Sequence, residues 1–116
     1  MSDVKFTVGG AVEEEASRRF IDAWHRAERG ESFHERHLAF ESWEALARVL
    51  TGKRMELLRY VRRNNVPSVR ALAKALSRDY SNVHADVKAL AGAGLLENTS
   101  HGVRADYDDL ETRIAI

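Results

Sequence analysis

Between residues 67 and 96 the hydrophobic positions repeat with helical spacing on two neighbouring segments. In the first segment, Val69, Leu72 and Leu76 fall on one face. Ser68 precedes them and is suited to cap the start of a helix. Only three or four residues can connect the two segments, which predicts a helix-turn-helix. The second helix has a narrow apolar stripe formed by Val83, Val87 and Leu90.

Two further helices are predicted ahead of this pair. Ser42 is suited to cap a short helix, and a second helix begins near Thr51 and Gly52. Pro67 disfavours helical geometry at the residue before it, so we expect the second helix to end before this point. The apolar stripe of the short helix consists of Trp43, Leu46, Ala47 and Leu50, and that of the longer one of Met55, Leu58 and Val61.

Alternating hydrophobic residues predict strands at both ends of the chain and a hairpin after the helix pair. The run from Val4 to Val8 alternates and stops at two glycines, and a long amphipathic helix over 11–29 and a strand over 37–40 follow. The hairpin is predicted to pair Leu95–Asn98 with Val103–Asp106 across a turn at 99–102. Residues 110–116 alternate again, and this last strand could pair with the first one or with a second subunit.

These elements predict an α+β, mostly helical chain built on a winged helix-turn-helix, because a hairpin directly behind a helix-turn-helix is a wing. We divide it into an N-terminal strand-helix-strand extension over 1–41, a winged helix-turn-helix DNA-binding domain over 42–106 and a C-terminal strand over 107–116. At 116 residues, all three belong to one compact unit.

Charge is distributed unevenly, although the net charge of the whole chain is zero. Residues 51–90 hold nine Lys or Arg against three Asp or Glu, whereas residues 1–50 hold seven against ten and residues 91–116 hold two against five. The three segments therefore carry +6, −3 and −3. A local positive field on the predicted helix pair favours a phosphate-bearing partner.

From Trp43 to Asp106 this order of elements resembles the winged-helix domains of MarR-like and related prokaryotic regulators. The chain is more similar still to small prokaryotic DNA-binding proteins described as transcriptional regulators or as antitoxins of toxin–antitoxin pairs. The matching motifs are LTGKRMELLRYVR, SVRALAKAL, RDYSNVHADVKALAGAGLL and ADYDDLE. Gly52 departs from the pattern, since a proline is expected to start that helix, and we expect a looser first turn.

The face of the second helix opposite its apolar stripe carries small polar side chains. Asn82 can form a bidentate pair with adenine, and Lys88 can reach guanine or a phosphate. Asp86 is expected to pair with a neighbouring arginine, because phosphates repel a carboxylate. The residues predicted to contact bases are Ser81, Asn82, His84, Ala85 and Lys88.

A second set of residues is predicted to contact the DNA backbone and to fix the position of the protein without reading sequence. For each cation the alternative is ordinary solvated surface charge. On the wing, His101 and Arg104 are the candidates, and Arg104 can enter a minor groove. The predicted backbone contacts are Lys53, Arg54, Ser68, Arg70, Lys74, Arg78 and Tyr80.

One such module reads only a short half-site, so a homodimer is expected. The ends of the chain are acidic and could instead hold a basic partner such as a cognate toxin. The residues predicted to form the dimer or partner interface are Phe20, Trp24, Leu38, Phe40 and Ile114.

The sequence contains little evidence for other classes of function. His34 and His37 lack a third ligand, so no metal site is predicted, and no cofactor motif is present. We find no set of nucleophile, base and orienting residue, and therefore do not expect an enzyme. The absence of cysteine excludes disulfides and thiolate zinc sites. No apolar run approaches the roughly 20 residues that span a bilayer and no signal peptide is recognisable, so we expect a cytoplasmic protein without membrane contact.

The sequence thus predicts a sequence-specific, double-stranded DNA-binding transcriptional regulator, acting as a repressor and potentially as an antitoxin. The alternative is a winged-helix protein-interaction module, whose basic face binds an acidic protein partner without reading DNA.

Overall fold

The computed structural model describes residues 2–9, 21, 24, 34–114 and 116. This part of the chain is an α+β structure in which helices hold more residues than strands. The helix predicted over 11–29, which includes Phe20, lies outside the described residues except for Ile21 and Trp24, both of which are helical. The elements are β1 (Ser2–Val8), β2 (His34–Phe40), α1 (Trp43–Val49), α2 (Gly52–Arg63), α3 (Val69–Leu76), α4 (Tyr80–Gly92), β3 (Glu97–Thr99), β4 (Gly102–Arg104) and β5 (Asp109–Ile114).

The predicted strands at the two ends of the chain pair with each other. β1 lies between β2 and β5 and runs parallel to both, so Phe6 has Leu38 on one side and Thr112 on the other. Of the two pairings left open for the last strand, the one with the first strand is therefore present. The second strand was predicted too short, since β2 begins three residues earlier, at His34. Parallel pairing in register with β1 explains the extension of β2 through residues whose own pattern is polar.

Each of the helices α1 to α4 is preceded by a cap residue whose side chain accepts a hydrogen bond from a backbone N–H of the first turn. Ser42, Thr51 and Ser68 cap α1, α2 and α3 through their hydroxyl oxygens, and Asp79 caps α4 through its carboxylate. Gly52 stands directly after the Thr51 cap as the first residue of α2. Three residues connect α3 to α4, in agreement with the predicted turn length.

The hairpin is shorter than predicted at both of its outer ends. Leu95 and Leu96 are buried in the core and precede β3 instead of belonging to it. Thr99 pairs with Gly102, so the turn contains only Ser100 and His101. The N–H of Val103 also donates to the carbonyl of Val66, 2.9 Å away, which joins the hairpin to the segment between α2 and α3.

One hydrophobic core joins the parallel sheet to the helices. It contains Val4, Phe6 and Val8 of β1 together with the predicted apolar stripes of α2, α3 and α4. Trp24 and Trp43, which lie on apolar stripes of the sequence, are 59% and 54% exposed, so neither is buried in the core of the single chain. Among the described residues, no helix has the length and apolar character needed to cross a bilayer.

Leu38 and Phe40, which were predicted to lie in a dimer or partner interface, contact other residues of their own chain. The ring of Phe40 meets that of Phe6 edge to face, with 5.7 Å between the centroids. The side chain of Leu38 lies against Gly94, where a methyl group added to the glycine would approach it to 3.3 Å. Both side chains are half-buried because their register partners on β1 face the core.

Candidate nucleic-acid interface

The two faces of α4 differ as the sequence predicts. Val83, Val87 and Leu90 are almost completely buried, and they hold the helix against the core. A helix with a single buried stripe leaves the rest of its surface open to a partner. The five residues predicted to contact bases, Ser81, Asn82, His84, Ala85 and Lys88, are all exposed.

The first turn of α4 is organised by its cap. One carboxylate oxygen of Asp79 accepts hydrogen bonds from the hydroxyl of Ser81, at 2.6 Å, and from the backbone N–H of Asn82, at 3.3 Å. These bonds, that of Ser81 first, hold the pKa of Asp79 below its ordinary value. Because the Ser81 hydroxyl donates its hydrogen to Asp79, its oxygen can still accept a hydrogen bond from a ligand. The side-chain amide of Asn82 makes no hydrogen bond within the described part of the chain, so its donor and acceptor both remain available.

Three side chains form a row that connects α3 to α4 at the surface. The guanidinium carbon of Arg70 lies 5.0 Å from the ring centroid of Tyr80, and the centroids of Tyr80 and His84 are 5.8 Å apart. A guanidinium over an aromatic face keeps its N–H groups in its own plane, where they can still donate to an anion. The row therefore fixes a cation and a phenol hydroxyl beside the exposed face of α4.

Arg54 and Arg78, both predicted to contact phosphates, are instead engaged inside the protein. Arg54 Nε donates to Asp86 Oδ1 at 3.0 Å, and Arg78 Nη2 donates to Asp86 Oδ2 at 2.7 Å. Arg54 Nη1 also donates to the carbonyls of Arg48 and Val49 at the end of α1. The side chains of both arginines are about one-fifth exposed. Because Asp86 holds both guanidinium groups, these two residues are not part of the candidate interface.

The expected internal pairing of Asp86 is present, and it involves two arginines. Burial raises the pKa of this carboxyl, but the hydrogen bonds and charges of Arg78 and Arg54 more than offset burial and leave the pKa below its ordinary value. The three residues form what we call the Arg–Asp–Arg network. It connects the end of α1, the start of α2 and the α3–α4 connection to the middle of α4, and so fixes the position of that helix.

The remaining predicted backbone contacts lie around α4 on several elements. Lys53 at the start of α2 and Lys74 on α3 are exposed cations, like Lys88 on α4. The hydroxyl oxygen of Ser68 accepts the N–H of Ala71 at 3.1 Å, so this side chain serves as the cap of α3. Lys53, Lys74 and Lys88 contribute to the positive charge of residues 51–90.

The hairpin presents its two predicted residues at an exposed tip and strand. His101 lies in the two-residue turn, and the side chain of Arg104 is 61% exposed, with Nε 3.8 Å from Asp106 Oδ1. A polar cavity of about 350 Å³ separates this strand from the end of α2. Gly102 has φ +123° and lies so close to the segment before α3 that an added Cβ would meet the carbonyl oxygen of Val66 at 2.3 Å. Only glycine fits there.

Tyr107 makes a structural contact that the sequence does not predict. Its hydroxyl donates to the carbonyl of Leu95 at 2.6 Å, three residues after the end of α4, and Tyr107 is only 6% exposed. Burial raises the pKa of Tyr107 to about 12, although the nearby charge of Arg36 acts in the opposite direction. The bond ties the chain that leaves the hairpin to the end of α4. No periodicity marks it, because Tyr107 lies between two strands.

The predicted interface residues at the chain ends have different surroundings. Trp24 and Ile114 are exposed, at 59% and 48%, whereas Leu38 and Phe40 are half-buried as described above. Phe20 is outside the described residues. Among the residues that are described, no three His, Asp or Glu side chains are grouped so that they could hold a metal ion.

Residues 49–112, more than half of the chain, match the model of a family whose description is HVO_A0114. The match contains α2, α3, α4, the hairpin and the start of β5. No curated protein and no solved structure matches the chain.

Proposed function

The chain belongs to the HVO_A0114 family, and from the geometry of its helices and hairpin we propose that it is a sequence-specific, double-stranded DNA-binding transcriptional regulator. The main evidence for this proposal is the exposed face of α4. Small polar side chains and Lys88 lie there, opposite a buried apolar stripe. A helix of this kind can enter a major groove while its other face stays in the core.

The order of elements supports a winged helix-turn-helix architecture. α3 and α4 are joined by three residues, and an antiparallel hairpin follows α4. The bridge between Val66 and Val103 attaches the hairpin to the start of α3. In this architecture α4 is the recognition helix and the hairpin is the wing. The MarR-like resemblance of the sequence agrees with this assignment and remains part of the proposal.

In the proposed complex, residues on α4 read bases and their neighbours hold the backbone. The free amide of Asn82 pairs with adenine, and the methyl group of Ala85 meets a thymine methyl. Ser81 accepts through its hydroxyl, while His84 and Lys88 contact a base or a phosphate. The backbone contacts are Lys53, Arg70, Lys74 and Tyr80, and the wing contributes His101 and Arg104.

A regulator of this size is proposed to act as a homodimer, because two half-sites give a longer recognition sequence than one. We propose repression as its effect, since a protein seated in the major groove of a promoter excludes other proteins. The role of an antitoxin, with a cognate toxin as partner, is a narrower form of the same proposal.

Sequence-specific DNA binding is tested in two steps. Bound duplexes are first selected from a random pool, and binding to the selected duplex is then measured by fluorescence anisotropy. Asn82→Ala is expected to lose about 1–3 kcal/mol on the selected duplex and to keep its affinity for unrelated DNA. Arg70→Ala and Lys74→Ala are expected to weaken binding to all duplexes and each to reduce the salt slope by about one.

The matched control is Arg59→Ala, which removes an exposed cation of α2 outside the proposed interface and is expected to bind like the wild type. Absence of binding to any duplex at low salt would overturn the proposal. In that case the basic face is better explained as a docking surface for an acidic protein partner, the alternative function predicted from the sequence.

A further inference from the structure

β5 forms one edge of the parallel sheet, and among the described strands none lies beyond it. The outer side of an edge strand offers N–H and C=O groups that can pair with another strand. Ile114 is 48% exposed even though its register partner on β1, Val8, is buried. The face of the sheet that covers the core is therefore incomplete at this edge.

The side chains of β5 alternate between the two faces of the sheet. Leu110, Thr112 and Ile114 are the register partners of the buried β1 residues, so they lie on the core-facing side. Glu111 and Arg113 lie on the opposite side. The side chain of Glu111 is 59% exposed and is 3.8 Å from Lys5 Nζ. One face of the strand thus carries apolar groups at its two ends, and the other carries two acids, Asp109 and Glu111, and one base, Arg113.

This pattern is complementary to itself under a two-fold rotation. When two copies of one edge pair antiparallel, the axis is perpendicular to the sheet, and each face continues into the same face of the second copy. A residue must then stand opposite its own copy at the axis. Rotation about Thr112 brings Leu110 opposite Ile114 of the second copy and Glu111 opposite Arg113 of the second copy.

The neighbouring registers lack this complementarity. Rotation about Glu111 pairs Asp109 with Arg113 of the second copy, but it places the two Glu111 side chains opposite each other on the axis. Rotation about Arg113 places two arginines opposite each other there. Rotation about Leu110 places Glu111 opposite Asp109 of the second copy, which pairs two acids. Directly opposed like charges destabilise strand pairs, whereas opposite charges and apolar pairs stabilise them. The side chains of β5 therefore select the register that is centred on Thr112.

We propose that two copies of this chain form a homodimer by antiparallel pairing of their β5 strands about Thr112. The two three-stranded sheets join into one six-stranded sheet, in which two apolar pairs and two ion pairs flank the axis. Ile114 packs beside Leu110 of the second copy and loses its exposure. The proposal specifies the surface of the dimer that the proposed regulator requires, but it stands on the strand edge alone and not on DNA binding.

Because the chain contains no cysteine, single cysteine variants can report the register. Residues directly opposite each other in antiparallel strands have Cα atoms about 4.5–5.5 Å apart, within the range of a disulfide. Thr112→Cys is expected to form a disulfide-linked dimer under mild oxidation at least about tenfold faster than Glu111→Cys, whose two thiols are displaced by two residues along the strands. Equal rates, or faster linkage of Glu111→Cys, would overturn the register.

Charge exchange tests the association itself by sedimentation without DNA. Glu111→Arg and Arg113→Glu each create two like-charge pairs, and each is expected to raise the dimer dissociation constant about tenfold. An equimolar mixture of the two variants restores opposite charges across the axis and is expected to dimerise like the wild type, which also shows that both variants are folded. A wild-type chain that stays monomeric throughout the micromolar range would overturn the proposal and leave the DNA-binding proposal to its own test.

Discussion

Ser77 ends α3 in a backbone conformation that favours glycine. Its φ is 53°, and among the described residues it is the one non-glycine residue with a positive φ. The N–H of Ser77 donates to Lys74 and that of Arg78 to Ala73, so the last carbonyls of α3 are satisfied by the two bonds of a Schellman motif. The same pair of bonds closes α4, where Gly94 occupies the equivalent position with φ 83°.

Ser77→Gly is therefore expected to stabilise the protein. The left-handed conformation costs a serine about 1–2 kcal/mol, and the greater freedom of glycine in the unfolded chain returns part of this, so the net gain is about 0.5–1 kcal/mol. Urea unfolding measures the gain. Ser77→Ala is the control, since alanine meets the same steric cost and should leave the free energy of unfolding nearly unchanged. A loss of stability in the glycine variant would show that the serine side chain itself stabilises the turn.

At the scale of elements, the Arg–Asp–Arg network fixes how α4 lies on the other helices. Asp86→Asn keeps the shape of the side chain but leaves two largely buried guanidinium groups without a counter-charge. We expect the free energy of unfolding to fall by about 2 kcal/mol. Asp106→Asn is the control, because its carboxylate meets the exposed Arg104 at 3.8 Å, and a pair of that kind contributes little.

The same carboxyl gives the wild type a defined dependence on acid. Since the pKa of Asp86 is lowered by folding, the unfolded chain takes up the proton first as the pH falls. Its contribution is fully present above the ordinary pKa of about 3.9 and is lost as the pH falls through the folded value. Asp86→Asn should lose less stability than the wild type over that range, and equal losses would contradict the assigned role of the network.

The connection between the hairpin and α4 depends on Tyr107 in the alkaline range. Tyr107→Phe leaves the buried carbonyl of Leu95 without its donor and is expected to cost about 1–2 kcal/mol. Folding raises the pKa of Tyr107 from 10 to about 12. The unfolded chain therefore holds fewer protons than the folded one above pH 10, and stability falls as the pH rises towards 12, by at most about 1.4 kcal/mol per pH unit. Unfolding curves of both proteins at increasing pH should show a steeper loss for the wild type; parallel losses would refute this assignment.

For the whole molecule, the sequence predicts those features that depend on neighbours along the chain. The buried stripe of α4 follows from helical periodicity at Val83, Val87 and Leu90, and the exposure of Asn82 and Lys88 follows from it. The caps likewise depend on residues three positions apart. The contact of these exposed residues with DNA stays a prediction, since exposure alone does not name a partner.

What the sequence could not predict depends on groups that are distant along the chain. Arg54 and Arg78 have the same pattern as solvated cations, and only the fold brings both of them to Asp86. The half-buried positions of Leu38 and Phe40 follow from their register with β1, which no local signal specifies. The exposure of Trp43 has the same origin, because a helical stripe reveals a common face but not how far the core extends beneath it.

The central position of β1 in the parallel sheet has a consequence for the order of folding. Val4 pairs in register with Leu110, across almost the whole length of the chain, whereas α3, α4 and the hairpin meet through short connections. Closing a long loop costs more entropy than closing a short one, and contacts between remote segments form slowly. During synthesis β1 can pair with β2 early, but its other edge has no partner strand until β5 follows the helices and the hairpin.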